Sequence, residues 1–144
     1  MNNSKANPLP QPDKHVNRGL SVDGVIIRDN KILLIKRDNE PFKGYWALPG
    51  GYVDWNETTE EAVAREVLEE TGLIVSACKL IGVYSLPSRH PKQVINIAYE
   101  VTTEGEPKAG DDALEFKWFS INALPNQLAF DHSKIIDDCL LKKF

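Results

Sequence analysis

The sequence predicts an α+β fold, in which a mixed β-sheet packs with helices, on three observations. Strand-like runs rich in Val and Ile occur both before and after a helix-like run at residues 58–71. A second helix-like run closes the chain at residues 131–143. Strands and helices do not alternate regularly, which argues against βαβ units and for a mixed-sheet sandwich.

Length and composition indicate one globular domain. A chain of 144 residues can bury one sizeable core, and no apolar run approaches the roughly 18 residues of a membrane span. The net charge of −4 argues against a dedicated nucleic-acid binder. Cys78 and Cys139 are isolated, and the N-terminus lacks the apolar segment of a secretory signal, so we expect reduced thiols and a cytoplasmic protein.

The N-terminal residues differ in character from the rest. Residues 1–17 are polar and hold three prolines. We expect a flexible arm there, followed by a single domain at residues 18–144. An arm that docks on a partner subunit is the alternative.

The first half of the domain predicts three strand segments. Residues 21–28 and 31–37 flank Asp29-Asn30, a pattern that predicts a β-hairpin. Residues 38–45 contain Pro and Gly and predict a loop. Residues 46–53 predict a short strand broken by a Pro-Gly-Gly turn.

The second half predicts strands at residues 73–86, 94–101 and 115–119, with loops at 87–93 and 102–112. In the final helix, Asp131 takes the N-cap position. One apolar face of that helix holds Ile135, Ile136, Cys139 and Leu140.

The central helix has clear ends. Thr58 and Glu61 form a capping box, and Gly72 is the residue expected just past the end, so we expect a helix over 59–71. Its predicted apolar face, expected to pack on the sheet, holds Val63, Ala64, Val67 and Leu68.

Three acids lie within an arc of roughly 100° on the predicted opposite face of this helix: Glu66, Glu69 and Glu70. They repel one another, and Glu69 and Glu70 oppose the helix dipole. The simplest interpretation is a solvent-exposed helix face, but residues placed where local interactions are unfavourable are typical of functional sites. Three converging carboxylates suit Mg²⁺, Mn²⁺ or Ca²⁺ rather than Zn²⁺.

The residues next to the acids fit the same interpretation. Gly50-Gly51 allows the backbone to approach a ligand closely and to adopt a positive φ, although a simple turn is the alternative. Arg65 can hold Glu57 or one of the three acids by a bidentate pair, and its alternative is an exposed ion pair of little energetic value.

The spacing of these residues carries a family resemblance. Gly51, Glu57, Arg65-Glu66-Val67, Glu69-Glu70 and Gly72-Leu73 resemble the complete Nudix box. The resemblance implies a Nudix fold, with a mixed β-sheet sandwiched between α-helices. It also implies hydrolysis of a nucleoside diphosphate derivative by attack of water on phosphorus.

The resemblance also implies roles for the box residues. Glu66, Glu69 and Glu70 are the metal-ligand positions, Gly51 supplies backbone near the metal, and Glu57 assists the site or pairs with Arg65. The cofactor implied is Mg²⁺, with Mn²⁺ as an alternative. A small-molecule nucleotide is the implied substrate, and a homodimer is expected.

Segments outside the box resemble ADP-ribose pyrophosphatases: residues 42–51, 109–113 and 128–132. This resemblance implies cleavage of ADP-ribose to AMP and ribose 5-phosphate. Hydrolysis of nucleoside triphosphates, including oxidised ones, is a second hypothesis. A non-catalytic domain that senses ADP-ribose or related compounds is a third.

Candidate substrate contacts come from outside the box. Arg37 and Arg89 are candidates for phosphate contacts, with plain surface charges as the alternative. Trp46, with Phe42 and Tyr52 nearby, is a candidate to stack on adenine, with core packing as the alternative.

Further candidates follow the box. Asp112 and Glu115, with Asp111, are candidates for an additional acid or general base, and a solvated turn is the alternative. We expect His132 to belong to a capping network at the start of the last helix.

Overall fold

The computed structural model describes residues 17–108 and 114–142. The predicted acids Asp111 and Asp112 lie outside the described residues. In chain order the elements are β1 (Leu20–Val25), β2 (Ile27–Arg28), β3 (Lys31–Lys36), β4 (Trp46–Ala47), β5 (Gly50–Tyr52), α1 (Thr59–Thr71), β6 (Ile74–Tyr84), a 3₁₀ helix (Pro87–Arg89), β7 (Ile95–Glu104), β8 (Phe116–Ser120) and α2 (His132–Leu141).

The strands form two sheets, and one of them is mixed. The first sheet has the order β5-β1-β7-β6, with β1 parallel to β7 and the other pairs antiparallel. In the second sheet, β3 pairs with β2, β4 and β8, all antiparallel. The predicted α+β class with a mixed sheet is confirmed.

The predicted hairpin is only partly right, because the chain changes sheets at Ile26. β1 belongs to the first sheet, and only Ile27–Arg28 pairs with β3. Asp29 and Asn30 have φ values of 54° and 60°, as a two-residue hairpin turn requires. Ile26 itself is buried, so the switch passes through the core.

Two other boundaries differ from the prediction. β7 continues to Glu104, opposite Ile74 of β6, where a loop was expected. The predicted loop at 87–93 contains the 3₁₀ helix. Extended pairing with β6 outweighs the polar composition after Thr102, since each added residue gains ladder hydrogen bonds.

The predicted ends of α1 are confirmed, but its buried face is rotated from the prediction. Thr58 and Glu61 form the capping box, and Gly72 closes the helix in the left-handed conformation with φ 78°. Leu68 is 52% exposed, so its predicted burial is wrong. The buried residues are Ala62, Val63, Val67 and Thr71.

This rotation changes where the acids lie. At about 100° per residue, Glu66 and Glu70 fall between Ala62 and Val63, on the buried side. The acidic arc therefore lies beside the packed face, and its predicted placement opposite that face is wrong. The packing of α1 on β1 carries these two carboxylates to the edge strand β5.

The last helix packs as predicted, with Ile135, Ile136 and Cys139 buried. Asp131 is at the N-cap position but makes no capping hydrogen bond. Its carboxylate is used by Arg89 instead. Neither helix within the described residues has the length and apolar character needed to cross a membrane.

Candidate active site

A cavity of about 600 Å³ lies where β1, β5 and the acidic side of α1 meet the start of α2. Its acidic side is formed by Glu66, Glu69 and Glu70. The lining also includes Arg37, His90 and Phe130. The described part of the fold thus brings cationic and aromatic groups to the same cavity as the carboxylates.

The Gly50-Gly51 turn allows the carboxylates to approach the backbone. The Gly50 N–H donates to Glu70 Oε1 at 2.9 Å. A Cβ on Gly51 would lie 2.2 Å from Glu66 Oε2, so no larger residue fits without moving Glu66. Neither glycine has a positive φ. The close approach to a ligand expected from the sequence stays a prediction, and the positive φ is not observed.

Arg65 donates hydrogen bonds to three acidic residues of the site: Glu57, Glu66 and Glu69. Its Nε and Nη2 donate to the two carboxylate oxygens of Glu57 at 3.0 and 2.7 Å. Its Nη1 donates to Glu66 Oε2 at 3.1 Å and to Glu69 Oε1 at 3.2 Å. The bidentate pair with Glu57 expected from the sequence is present. Arg65 also donates to the Tyr52 carbonyl at 3.0 Å, which fixes it to β5.

The carboxylates differ in their electrostatic environments. The hydrogen bonds from Arg65 and the Asp54 backbone lower the pKa of Glu57 from 4.5 to about 2. Burial raises the pKa of Glu70 to about 8, despite the hydrogen bond from Gly50. Burial also raises the pKa of Glu66, with Arg65 acting in the opposite direction. The cavity therefore holds two carboxylates whose charge is costly to bury.

The third acid of the arc is placed differently. Glu69 is half-exposed and is held by Arg65 at the rim. Within residues 17–108 and 114–142, no three acid, His or Cys side chains are grouped closely enough to form a ready-made metal cluster. Glu66, Glu69 and Glu70 nevertheless line one cavity, with Glu69 more exposed than Glu66, and their role as metal ligands stays a prediction.

A buried Asp–His pair stands next to Glu70 and was missed by sequence reasoning. His132 Nε2 lies 3.0 Å from Asp23 Oδ2. The Leu48 N–H donates to His132 Nδ1 at 3.0 Å. Since Nδ1 accepts, the ring proton is on Nε2 and points to Asp23. The capping role predicted for His132 is wrong, because both ring nitrogens are used in this pair and at Leu48.

This pair anchors the turn that carries the glycines. Leu48 lies two residues before Gly50, so His132 ties the turn to α2 while Asp23 ties it to β1. A Cβ on Gly50 would lie 2.2 Å from Asp23 Oδ1, which shows how closely the turn and Asp23 pack. An acid within the apolar run of β1 was the available sequence signal.

The predicted substrate residues separate into two groups. Arg37 and Arg89 line the cavity. Trp46 and Glu115 are not among the described residues that line it. Trp46 packs edge-on against Phe119 at 5.0 Å, as the core-packing alternative expected. Glu115 is exposed and lies in the chain between Leu114, which lines the cavity, and β8.

Arg89 is neither a surface charge nor a free phosphate ligand. Its side chain is 3% exposed and its Nη2 lies 2.8 Å from Asp131 Oδ1. Its Nη1 donates to the Val94 carbonyl at 3.0 Å. These contacts use most of its donors, so Arg89 organises the cavity wall. Arg37 is more available: among the described residues its Nε donates to the Pro41 carbonyl at 2.7 Å, and its Nη2 lies at a longer 3.4 Å from Asn39 Oδ1.

Phe130 lies at the centre of a cluster of aromatic and cationic side chains. Its ring stacks on His90, with centroids 5.0 Å apart and planes 3° from parallel. The Arg37 guanidinium lies 5.0 Å from the Phe130 centroid. Phe42, named as a stacking candidate, packs edge-on against Phe130 at 4.8 Å. Tyr52 also lines the cavity and is 51% exposed.

The fold and the site together define the class: a hydrolase built on a mixed sheet, with an acidic helix and a Gly-Gly turn at its cavity. The chain belongs to the Nudix family, since the NUDIX domain profile matches residues 17–139.

Known proteins similar to this chain are named as pyrophosphatases, diphosphatases or NUDIX hydrolases. An ADP-ribose pyrophosphatase of Methanocaldococcus jannaschii is 56% identical over 126 residues, which cover 86% of this chain and 74% of the relative. A putative 8-oxo-dGTP diphosphatase of Bacillus subtilis is 36% identical over 115 residues, or 79% of this chain and 74% of the relative. The crystal structure of a MutT NUDIX hydrolase from Burkholderia pseudomallei superposes with a TM-score of 0.77 at 32% identity, covering 85% of this chain and 98% of that one.

Proposed function

We propose that this protein is a divalent-metal-dependent pyrophosphohydrolase that cleaves ADP-ribose to AMP and ribose 5-phosphate. The observation that carries the proposal is the part-buried pair Glu66 and Glu70, set against Gly50-Gly51 at the cavity. An ordinary solvent-exposed acidic face would not place two carboxylates in a partly buried position at a cavity.

The donor set fits a hard divalent cation. Carboxylate and carbonyl oxygens suit Mg²⁺ or Mn²⁺, and an open site leaves coordination positions for phosphate oxygens. The residues that would hold the ion are Glu66 and Glu70, with Glu69 from the rim and the backbone of Gly51. A bound ion would supply neutralisation of phosphate charge and would offset the cost of burying the two carboxylates.

The reaction adds water across the pyrophosphate. The water oxygen bonds to one phosphorus, the bond from that phosphorus to the bridging oxygen breaks, and the bridging oxygen leaves with the other phosphate. The residues' tasks are to position the groups and to take the water proton. Glu70, which the Gly50 N–H holds at the cavity, is one candidate to take that proton. Asp112 stays a second candidate for this role.

The substrate proposal rests on the relative with 56% identity, which is named an ADP-ribose pyrophosphatase. The relative with 36% identity, a putative 8-oxo-dGTP diphosphatase, favours nucleoside triphosphates as a second candidate. Both candidates use the same phosphorus chemistry, so the products distinguish them.

A substrate panel tests the proposal. ADP-ribose, NADH, diadenosine polyphosphates and nucleoside triphosphates are incubated with Mg²⁺ or with EDTA, and the products are separated by chromatography. AMP plus ribose 5-phosphate, formed fastest and only with metal, supports the proposal. If a nucleoside triphosphate is hydrolysed faster, to a monophosphate and pyrophosphate, the triphosphate replaces ADP-ribose as the proposed substrate. No turnover of any compound with metal would favour the sensing hypothesis.

We also infer a cytoplasmic homodimer. The two cysteines are free thiols, as in reducing compartments, and family resemblance favours a dimer. Light scattering coupled to size-exclusion chromatography tests the oligomeric state, and a mass near the 16.2 kDa of one chain would overturn the dimer.

A further inference from the structure

Asn96 lines the cavity and has an unpaired polar atom. The side chain is buried, with 1% of the residue exposed, and it lines the same cavity as Glu70. Its Nδ2 donates to Ser21 Oγ at 2.8 Å. Within the described part of the chain, its Oδ1 is the buried side-chain atom without a hydrogen-bond partner. Native proteins seldom keep such an atom without a reason.

The sheet places Asn96 in a row of three cavity residues. Ser21 of β1 is directly opposite Asn96 of β7 and directly opposite Tyr52 of β5. Opposed residues on neighbouring strands share a face of the sheet. Asp23 lies two residues further along β1 on that face, about 7 Å away, toward the carboxylates. The row is therefore beside the reacting groups rather than among them.

The chemistry of the amide oxygen selects its ligand. Oδ1 only accepts hydrogen bonds, and so do the oxygens of an ionised phosphate. The complementary group is a neutral donor, such as a ribose hydroxyl or the amino group of a base. Tyr52, half-exposed at the end of the row, offers a ring on which a base can stack.

We propose that Asn96, oriented by Ser21, accepts a hydrogen bond from the nucleoside half of the substrate and so selects for it. This rests on the proposed function for the identity of the substrate. The nucleoside then lies over Ser21, Asn96 and Tyr52, and the pyrophosphate extends along β1 toward Glu66 and Glu70. An analogue without the donor leaves Oδ1 buried and unpaired, and is bound more weakly.

Equilibrium binding without turnover tests the proposal. Titration calorimetry in EDTA measures the Kd of AMP and of ribose 5-phosphate for the wild type and for Asn96→Leu, which has a similar volume but no acceptor. We expect AMP to bind about tenfold more weakly to the variant, with ribose 5-phosphate unchanged. Ser21→Ala should weaken AMP binding by a smaller factor, since the Asn96 amide loses the partner that orients it.

Analogues identify the donor. The panel holds 2′-deoxy-AMP, 3′-deoxy-AMP and IMP, which lack the 2′-hydroxyl, the 3′-hydroxyl and the amino group respectively. The analogue that lacks the relevant donor should bind wild type and Asn96→Leu equally, while the others keep the tenfold difference. Equal weakening of every analogue overturns the proposal, because that result indicates a change of shape.

Controls separate recognition from a structural role. Asn122→Leu, at an exposed position, should bind AMP as the wild type does. The Tm of Asn96→Leu should match that of the wild type, because the substitution also removes an unpaired buried atom. If Asn96→Leu does not fold, Asn96→Ala is used in its place. Unchanged AMP affinity in the Asn96 variant, or weakening confined to ribose 5-phosphate, overturns the proposal. Since no turnover is needed, a wild type inactive in the substrate panel defeats the proposed function alone.

Discussion

Arg65 and Glu57 form a two-point ion pair, with Nε and Nη2 of the arginine 3.0 and 2.7 Å from the two carboxylate oxygens. The pair fixes the guanidinium so that Nη1 reaches Glu66 and Glu69. Glu57 therefore influences the cavity without lining it. Its substitution separates a positioning effect from loss of a direct contact with the substrate.

The first prediction concerns the pH dependence of this pair. The pKa of Glu57 is about 2 in the folded protein against an ordinary 4.5, so the pair stabilises the fold above about pH 4.5. That contribution is lost as the pH falls through about 2. The unfolding free energy of the wild type should exceed that of Glu57→Gln at pH 6, and the difference should shrink toward pH 2. A difference that stays constant over this range would contradict the assignment.

The second prediction concerns Glu70, where function and stability should conflict. Its folded pKa of about 8 lies above the ordinary 4.5, so its contribution to stability is greatest below pH 4.5 and is lost as the pH rises through about 8. Glu70→Gln can still accept from Gly50 but carries no charge. In EDTA the variant should therefore have a higher Tm than the wild type at pH 9, and the gain should disappear at pH 4.

The same variant should lose activity. With Mg²⁺ present, kcat should fall about 10²- to 10³-fold, because a charged group at the reacting centre is gone. Glu69→Gln should also lower kcat, but without the gain in Tm, since Glu69 is half-exposed. Near wild-type turnover by Glu70→Gln would refute its place in the metal site.

The third prediction uses the close approach at Gly51. An added Cβ would lie 2.2 Å from Glu66 Oε2, so Gly51→Ala must displace that carboxylate. A misplaced catalytic group can cost about 10²-fold in kcat with little change in fold. Gly82→Ala is the matched control, since its Cβ would meet nothing closer than 3.6 Å. Equal activity of the two variants would show that the position of Glu66 is not critical.

The fourth prediction concerns the Asp23–His132 pair. His132→Ala leaves the Leu48 N–H and the Asp23 carboxylate unpaired in the core, at a cost of about 1–3 kcal/mol for each group. Because Leu48 precedes the glycine turn, kcat should fall while the KM changes little.

A double-mutant cycle measures the pair itself. Asp23→Asn removes the buried charge, so the double variant should be less destabilised than the sum of the two single variants, by about 0.5–3 kcal/mol. Chemical denaturation of the four proteins gives this coupling. Additive effects would mean that His132 acts through packing alone.

Features set by local interactions were predictable from the sequence. The helix α1 begins at Thr59 and ends at Thr71 as expected, because the capping box and Gly72 act within a few residues of the ends. Features set by distant packing were not. The partial burial of Glu70 and the exposure of Leu68 depend on which side of α1 the sheet covers, and no local sequence pattern specifies that side.

The site divides in the same way. The box residues share one segment, so their spacing alone was informative. Asp23, Asn96 and His132 come from β1, β7 and α2, and only the parallel pairing of β1 with β7 and the docking of α2 bring them to one cavity. An acid or amide within an apolar strand was the sequence signal for Asp23 and Asn96, but a strand pattern does not reveal which residues such a side chain will face.

The last prediction separates two aromatic residues that the sequence treated alike. Trp46 packs against Phe119 outside the described cavity lining, whereas Tyr52 lines the cavity and is 51% exposed. Trp46→Ala should lower the unfolding free energy by up to about 3 kcal/mol, through lost packing, and leave the KM for ADP-ribose unchanged. Tyr52→Ala should raise the KM several-fold with little effect on stability, since base stacking contributes about 1–3 kcal/mol. Steady-state kinetics and urea denaturation of both variants test the contrast. A raised KM in the Trp46 variant alone would restore Trp46 as the stacking residue and would remove Tyr52 from the row that binds the nucleoside.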